Sequence, residues 1–252
     1  MRQRRWARVL LWMLAALVAA AVALLTWWWI ALPDADATAV AEIRSSSDVE
    51  VVDADHGVVL RHAAAPGDAA VVFYPGAAVP PEAYLPTWAP IVRATGVSVH
   101  IPDMPLRLAV LAPGRAQRIR EANPGVQHWW VGGHSLGGAM ATSYAGGTAP
   151  GELRGVILWA AFPTAGAGLD DRDDLTVLSI AGSRDGLAAP DDLAARRDRL
   201  PADAIVVELE GVNHAQFGRY GTQRGDGEPQ VSDVRATDLI ADAVTAVLGP
   251  DR

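Results

Sequence analysis

Apolar positions along this chain form one very long run and a series of short ones. The long run, 9–32, holds no charged residue. At ~1.5 Å per residue its helix would reach roughly 36 Å, enough to cross a hydrocarbon core of about 30 Å with some tilt. The short runs begin after residue 45. Segments 49–53 and 58–61 alternate as a pair of strands, with Asp55, His56 and Gly57 as the turn between them. Segment 69–74 is continuously apolar, as expected of a strand buried on both faces, and 97–101, 127–131, 155–160, 176–180 and 204–209 read as further strands. Helical spacing fits between them at 84–94, 139–145, 190–200 and 232–248. Apolar strands alternating with helices predict an α/β domain with a mainly parallel sheet covered on both sides. The pattern therefore predicts a basic segment over 1–8, a transmembrane helix over 9–32, a small-residue linker over 33–44 and one α/β domain over 45–252.

Charge orients the long run. Arg2, Arg4, Arg5 and Arg8 precede it, and Trp27, Trp28 and Trp29 stand at its far end, where indole rings favour the membrane–water interface. This is the pattern of a signal anchor with the domain outside the cell membrane. A signal peptide cleaved near Ala35-Asp36-Ala37, giving a secreted protein, is the alternative, although signal cores usually run to only about 7–15 residues. Without those four arginines the chain carries 17 basic against 29 acidic residues, a net charge of −12. A surface of that sign repels phosphate backbones and disfavours nucleic acid as a partner. There is no cysteine, which excludes disulfides, a thiolate metal site and a cysteine nucleophile. No His/Asp/Glu cluster has metal-ligand spacing, so neither a metal nor a cofactor is expected.

The candidate chemistry lies in Gly132-Gly133-His134-Ser135-Leu136-Gly137-Gly138. It follows a predicted strand and precedes a predicted helix rich in small residues. Gly133 and Gly137 frame Ser135 as a strand–turn–helix elbow would require, with the serine hydroxyl projecting above the sheet. A P-loop is excluded, since the chain contains no lysine. Serine needs an adjacent base, itself oriented by an acid. Asp185 follows one predicted strand, His214 follows the last one, and the ends of parallel strands converge on one edge. Asp185 before Gly186 also reads as a plain turn, and Asp170, Asp171, Asp173 and Asp174 as a solvated acidic loop. His134 is expected to pack or shape the pocket, while His56, His62, His100 and His128 show no partner pattern. Segment 102–114 is either a wall of the substrate pocket or ordinary packing, and 218–228 is either a mobile loop over the site or a linker to the last helix.

Tyr74-Pro75-Gly76, the elbow at Ser135, Gly182-Ser183-Arg184-Asp185-Gly186 and Asn213-His214 together resemble the α/β-hydrolase superfamily over roughly 45–250. The likeness is to its small single-domain members, related to dienelactone hydrolases and carboxylesterases. It implies an α/β-hydrolase fold, with Ser135 as nucleophile, His214 as general base and Asp185 as the orienting acid. It also implies an oxyanion hole formed by the backbone N–H of Leu136 and one from the loop after residue 74: Ala77, or else Gly76 or Ala78. The histidine-glycine form common in that loop is replaced here by Tyr74-Pro75-Gly76-Ala77. The expected activity is cleavage of a small-molecule or lipid-like carboxylic ester by a membrane-anchored serine hydrolase. The alternatives are acyl transfer or lipid-related hydrolysis at the membrane face, and a non-catalytic binding module of the same fold. Substrate identity and oligomeric state are not encoded in these motifs.

Overall fold

The computed structural model describes residues 2–249. The chain divides into two compact units, one up to Pro33 and the other from Asp34 onward. The first is a single helix, α1 (Arg2–Ala31). Among the described residues no helix is long and apolar enough to cross a membrane. The anchor expected over 9–32 falls in part on α1 residues whose side chains lie outside the described set, so that statement concerns the rest of the helix.

The second unit begins earlier than the pattern predicts. Residues expected as linker form α2 (Ala37–Arg44), started by the Asp36 carboxylate accepting from the N–H groups of Thr38 and Ala39. Such a cap satisfies two of the four N–H groups a helix start leaves open. The Asp36 N–H donates to the Arg219 carbonyl at 2.8 Å, the Arg219 guanidinium donates back to the Asp36 carboxylate at 3.1 Å, and Ile43 is buried in the domain core. The helix was missed because its short Ala/Thr/Val sequence has weak helical periodicity, and tertiary contacts stabilise it.

Eight strands follow: β1 (Val49–Ala54), β2 (Gly57–His62), β3 (Ala69–Tyr74), β4 (Ser98–Pro102), β5 (His128–His134), β6 (Gly155–Trp159), β7 (Thr176–Gly182) and β8 (Ile205–Leu209). They form one sheet in the order β1-β2-β4-β3-β5-β6-β7-β8. β1 and β2 run antiparallel, and every pairing from β4 through β3 to β8 is parallel. The helices are α3 (Leu85–Thr95), α4 (Arg115–Ala122), α5 (Leu136–Gly146), α6 (Pro190–Ala194) and α7 (Asp233–Leu248). The helix expected over 190–200 stops at Ala194 and resumes only as a 3-10 turn, Arg197–Arg199.

The period-2 alternation of β3 divides the core. Val71 and Phe73 face a layer with Trp88, Ile91, Ile240 and Val244, from α3 and α7. Ala70, Val72 and Tyr74 face the layer of Ile119, Ala141 and Ala145, from α4 and α5. A strand with apolar residues on both faces is one covered on both sides, which is why 69–74 reads as an unbroken apolar run. In the expected acidic loop Asp170, Asp171, Asp173 and Asp174 are all exposed, and Asp174 also pairs with buried Arg172 at 2.6 Å. That guanidinium also donates to the carbonyls of Ala145 and Thr148, closing the C-terminal end of α5.

Candidate active site

Parallel pairing brings the C-terminal ends of β3, β5, β6, β7 and β8 to one edge of the sheet. Ser135 sits where β5 turns into α5, with φ 52° and ψ −123°. Holding a non-glycine residue there costs of the order of 1–3 kcal/mol and persists only when the surroundings enforce it. They do so here: the Ser135 N–H donates to the Trp159 carbonyl at 3.0 Å, and α5 passes tightly over β3. A Cβ on Gly137 would run into the carbonyl oxygens of Tyr74 and Pro75, and one on Gly133 would meet the backbone of Gly137. The two glycines thus bring the β3 turn and the β5 elbow into contact. Ser135 itself is partly exposed, unlike the buried His134 before it.

Asp185 follows β7, and His214 follows β8. His214 Nδ1 and Asp185 Oδ2 lie 2.7 Å apart, both side chains almost fully buried. The other Asp185 oxygen accepts from the N–H groups of Leu187 at 2.8 Å and Ala188 at 2.6 Å, which fixes the carboxylate against its own loop. Asp185 is therefore both a turn residue and a partner of the imidazole. The His214 ring lies beside the elbow, its centroid 4.4 Å from that of His134. The hydrogen bonds joining this group run from Asp185 to His214 and do not extend to the Ser135 hydroxyl. Contacts to a nucleophile are often long before substrate arrives.

In the loop after β3, the expected source of a second oxyanion donor, hydrogen bonding distinguishes the three candidates. The Gly76 N–H is taken by the Tyr84 hydroxyl at 2.8 Å, and the Ala78 N–H by the Arg107 carbonyl at 2.9 Å. Gly76 and Ala78 are thereby withdrawn. Ala77 keeps an N–H without such a partner, next to the elbow. Leu136, first residue of α5, has an N–H that no helical carbonyl can reach.

Tyr84 is a residue the sequence pattern gave no reason to choose. The Tyr84 hydroxyl accepts from the Gly76 N–H at 2.8 Å and also hydrogen-bonds His134 Nδ1 at 3.0 Å. Burial, and then the neighbouring His214 charge, hold the His134 pKa well below the ordinary histidine value, so the ring is neutral. Burial likewise pushes the Tyr84 hydroxyl up. Through Tyr84, His134 is thus tied to the loop after β3. Histidines without a sequence partner also find one: His56 Nε2 and His100 Nδ1 lie 3.3 Å apart, and His128 accepts from Arg154 at 3.1 Å.

Segment 102–114 carries two 3-10 turns, Pro105–Arg107 and Ala109–Leu111, and its Leu106, Val110 and Leu111 are exposed. Segment 218–228 is fastened to the site through Asp226, which accepts from the N–H groups of His214 and Ala215. Among the described residues no group of three or more His, Cys, Asp or Glu side chains could hold a metal ion. A groove of about 1010 Å³ lined by Gln117, Arg120, Trp129, Tyr144 and Glu152 contains none of Ser135, Asp185 and His214.

Comparison with known proteins agrees with this fold. The model of the alpha/beta hydrolase family matches residues 70–238. A search of curated protein sequences returns no match. Among solved structures, the esterase domain of a Rhodothermus marinus protein is 14% identical, with a TM-score of 0.55 over 79% of this chain and 96% of that one. A hormone-sensitive lipase from a metagenome library is 14% identical, with a TM-score of 0.53 over 82% of this chain and 90% of that one. Carboxyl esterase 2 of the fungus Tuber melanosporum is 12% identical, with a TM-score of 0.54 over 80% and 87%. At such identities the likeness concerns the fold.

Proposed function

The chain belongs to the alpha/beta hydrolase family, and from that membership we propose that it is a serine hydrolase cleaving carboxylic esters through an acyl-enzyme on Ser135. The observation that carries this reading is the buried 2.7 Å Asp185–His214 pair beside a serine held at φ 52°. The coarser assignment, an esterase-like hydrolase, follows from the family and the structural neighbours.

In the proposed reaction His214 Nε2 takes the Ser135 proton as Oγ attacks the ester carbonyl, and the carbonyl electron pair moves onto oxygen. Asp185 holds the imidazole through Nδ1 and stabilises the imidazolium. The N–H groups of Leu136 and Ala77 receive the oxyanion, and loss of one such donor typically costs about 10²–10³ in rate. The carbon–oxygen bond to the alcohol then breaks, the alcohol leaving with the proton from His214. Water, deprotonated by the same histidine, then attacks the acyl carbon, the bond from that carbon to Oγ breaks as His214 returns the proton to Ser135, and the carboxylic acid leaves.

The full chain in detergent is expected to turn over short-chain nitrophenyl esters and to be labelled by a fluorophosphonate, both activities vanishing in Ser135→Ala. Wild-type protein with neither activity overturns the assignment. A lipid-like ester is the favoured substrate class. Exposed Leu106, Val110 and Leu111 lie on the segment bonded to the oxyanion loop through Arg107, and exposed Leu187 lies two residues after Asp185. We also propose that α1 tethers the enzyme to the membrane with the hydrolase unit outside. The arguments are the uncharged run 9–32, the arginines before it and the exposure of Leu11, Trp12, Leu14, Leu17 and Val18. The partition of truncated chains between membrane and soluble fractions tests this.

A further inference from the structure

Asp226 occupies neither a nucleophile, base, acid nor oxyanion position, yet its carboxylate is more densely bonded than any of those. One oxygen accepts from the N–H groups of Gly186 at 3.1 Å, His214 at 3.1 Å and Gly227 at 2.8 Å. The other accepts from the Ala215 N–H at 2.8 Å. Three segments therefore meet on a single anion: the loop after Asp185, the loop of His214 and its own glycine turn.

The location explains what this anion does. Backbone bonds that continue the sheet beyond β7 and β8 end with the Arg184 N–H donating to the Val212 carbonyl at 2.9 Å. Beyond that bond the sheet no longer sets the spacing, and Asp185 stands one residue past Arg184 while His214 stands two past Val212. Asp226 supplies the cross-link there. Its turn is pressed into place from the other side, since the Asn213 side chain donates to the Gly227 carbonyl at 2.7 Å. A Cβ on Gly227 would collide with the Arg184 carbonyl oxygen. Asn213 and Gln216 brace the same loop reciprocally, each backbone N–H donating to the other's side-chain oxygen, at 3.2 and 3.1 Å.

We propose that Asp226 is a positioning residue that sets the alignment of His214 against Asp185 by gripping the backbones of both loops. The proposal rests on the reading of Asp185 and His214 as the acid and base of the site. Charge-assisted bonds to backbone N–H groups are about twice as strong as neutral ones. A catalytic group displaced by about 1 Å can lose about 10²-fold in rate. The carboxylate is required as such. An asparagine has the same shape, but whichever way its amide is turned, an NH2 group faces at least one of the N–H donors that both carboxylate oxygens now accept.

The test is Asp226→Asn in the full chain in detergent, followed in two ways. With a nitrophenyl ester, kcat is expected to fall about 10²-fold while KM stays within about threefold, since binding surfaces are untouched. In the proton NMR spectrum, the downfield resonance of the His214 Nδ1 proton is expected to weaken or move, which loss of general stability alone would not produce in a folded variant. A folded Asp226→Asn protein with unchanged kcat and an unchanged resonance overturns the proposal. The resonance needs no substrate, so it decides on Asp226 even if wild-type protein shows no Ser135-dependent turnover, a result that would count against the hydrolase reading alone. If the variant does not fold, amide exchange in wild-type protein decides. Slow exchange at His214, Ala215 and Gly186 is expected, and fast exchange at these three sites overturns the grip.

Discussion

At Ser135 the requirements of folding and of the proposed chemistry diverge. A side chain at φ 52° is strained, and glycine would relieve the strain. Ser135→Ala and Ser135→Gly both remove the hydroxyl, so comparing them isolates the backbone. Ser135→Gly is expected to be the more stable by about 1 kcal/mol, read as the difference in denaturant midpoint at constant slope. Equal stability would mean that the elbow is relaxed in solution. Other residues of the site were only partly readable in advance. Ser135 was legible because Gly133 and Gly137 frame it between a strand and a helix, and Asp185 and His214 because they follow strand ends downstream of it. Tyr84, Asp226 and the choice among Gly76, Ala77 and Ala78 were not legible, because each depends on which N–H group another segment has already engaged.

At the scale of elements, the strands of the sheet were readable to within a few residues, since burial on both faces leaves continuous apolar runs. α2 was not, because eight residues of modest helix propensity hold their shape through Asp36, Arg219 and Ile43. This element yields a prediction about truncation. Removing residues 1–33 is expected to move the protein from the membrane pellet to the soluble fraction with its thermal midpoint unchanged. Removing residues 1–45 is expected to lower stability by about 2–4 kcal/mol through the loss of buried Ile43 and of the Asp36–Arg219 contacts. Thermal denaturation of the two truncated proteins measures this. Equal midpoints would return residues 37–44 to the role of linker, and a soluble full-length chain would remove the tether.

The whole molecule carries a pH dependence that no single motif announces. Burial lowers the His100 pKa to about 4, with the charge of His56 adding to the effect. Burial, then the charge of Arg115, lowers His56. His134 lies well below its ordinary value. A histidine whose folded-state pKa is depressed below the ordinary 6.5 takes up its proton first in the unfolded chain. For His100 this contribution to stability is complete above pH 6.5 and is lost as pH falls from 6.5 toward 4, by up to about 1.4 kcal/mol per pH unit, and the lowered pKa values of His56 and His134 act in the same direction. Thermal midpoints taken between about pH 7 and about pH 5 should fall, and His100→Leu should flatten that slope. A slope unchanged in His100→Leu would show that His100 titrates normally.

The sequence by itself determined the α/β class, the strand and helix alternation and the three residues proposed for catalysis, because hydrophobic periodicity and short motifs such as the glycine-framed serine are local properties of a chain. Only the tertiary structure decided that Asp185 and His214 touch, that Ala77 keeps the free N–H of its loop, that α2 belongs to the hydrolase unit and that Asp226 fastens two loops together. The physical reason is common to all four. A hydrogen-bonding group is spent or spare according to what lies within about 3 Å of it, and segments distant in sequence become neighbours only once the sheet is assembled.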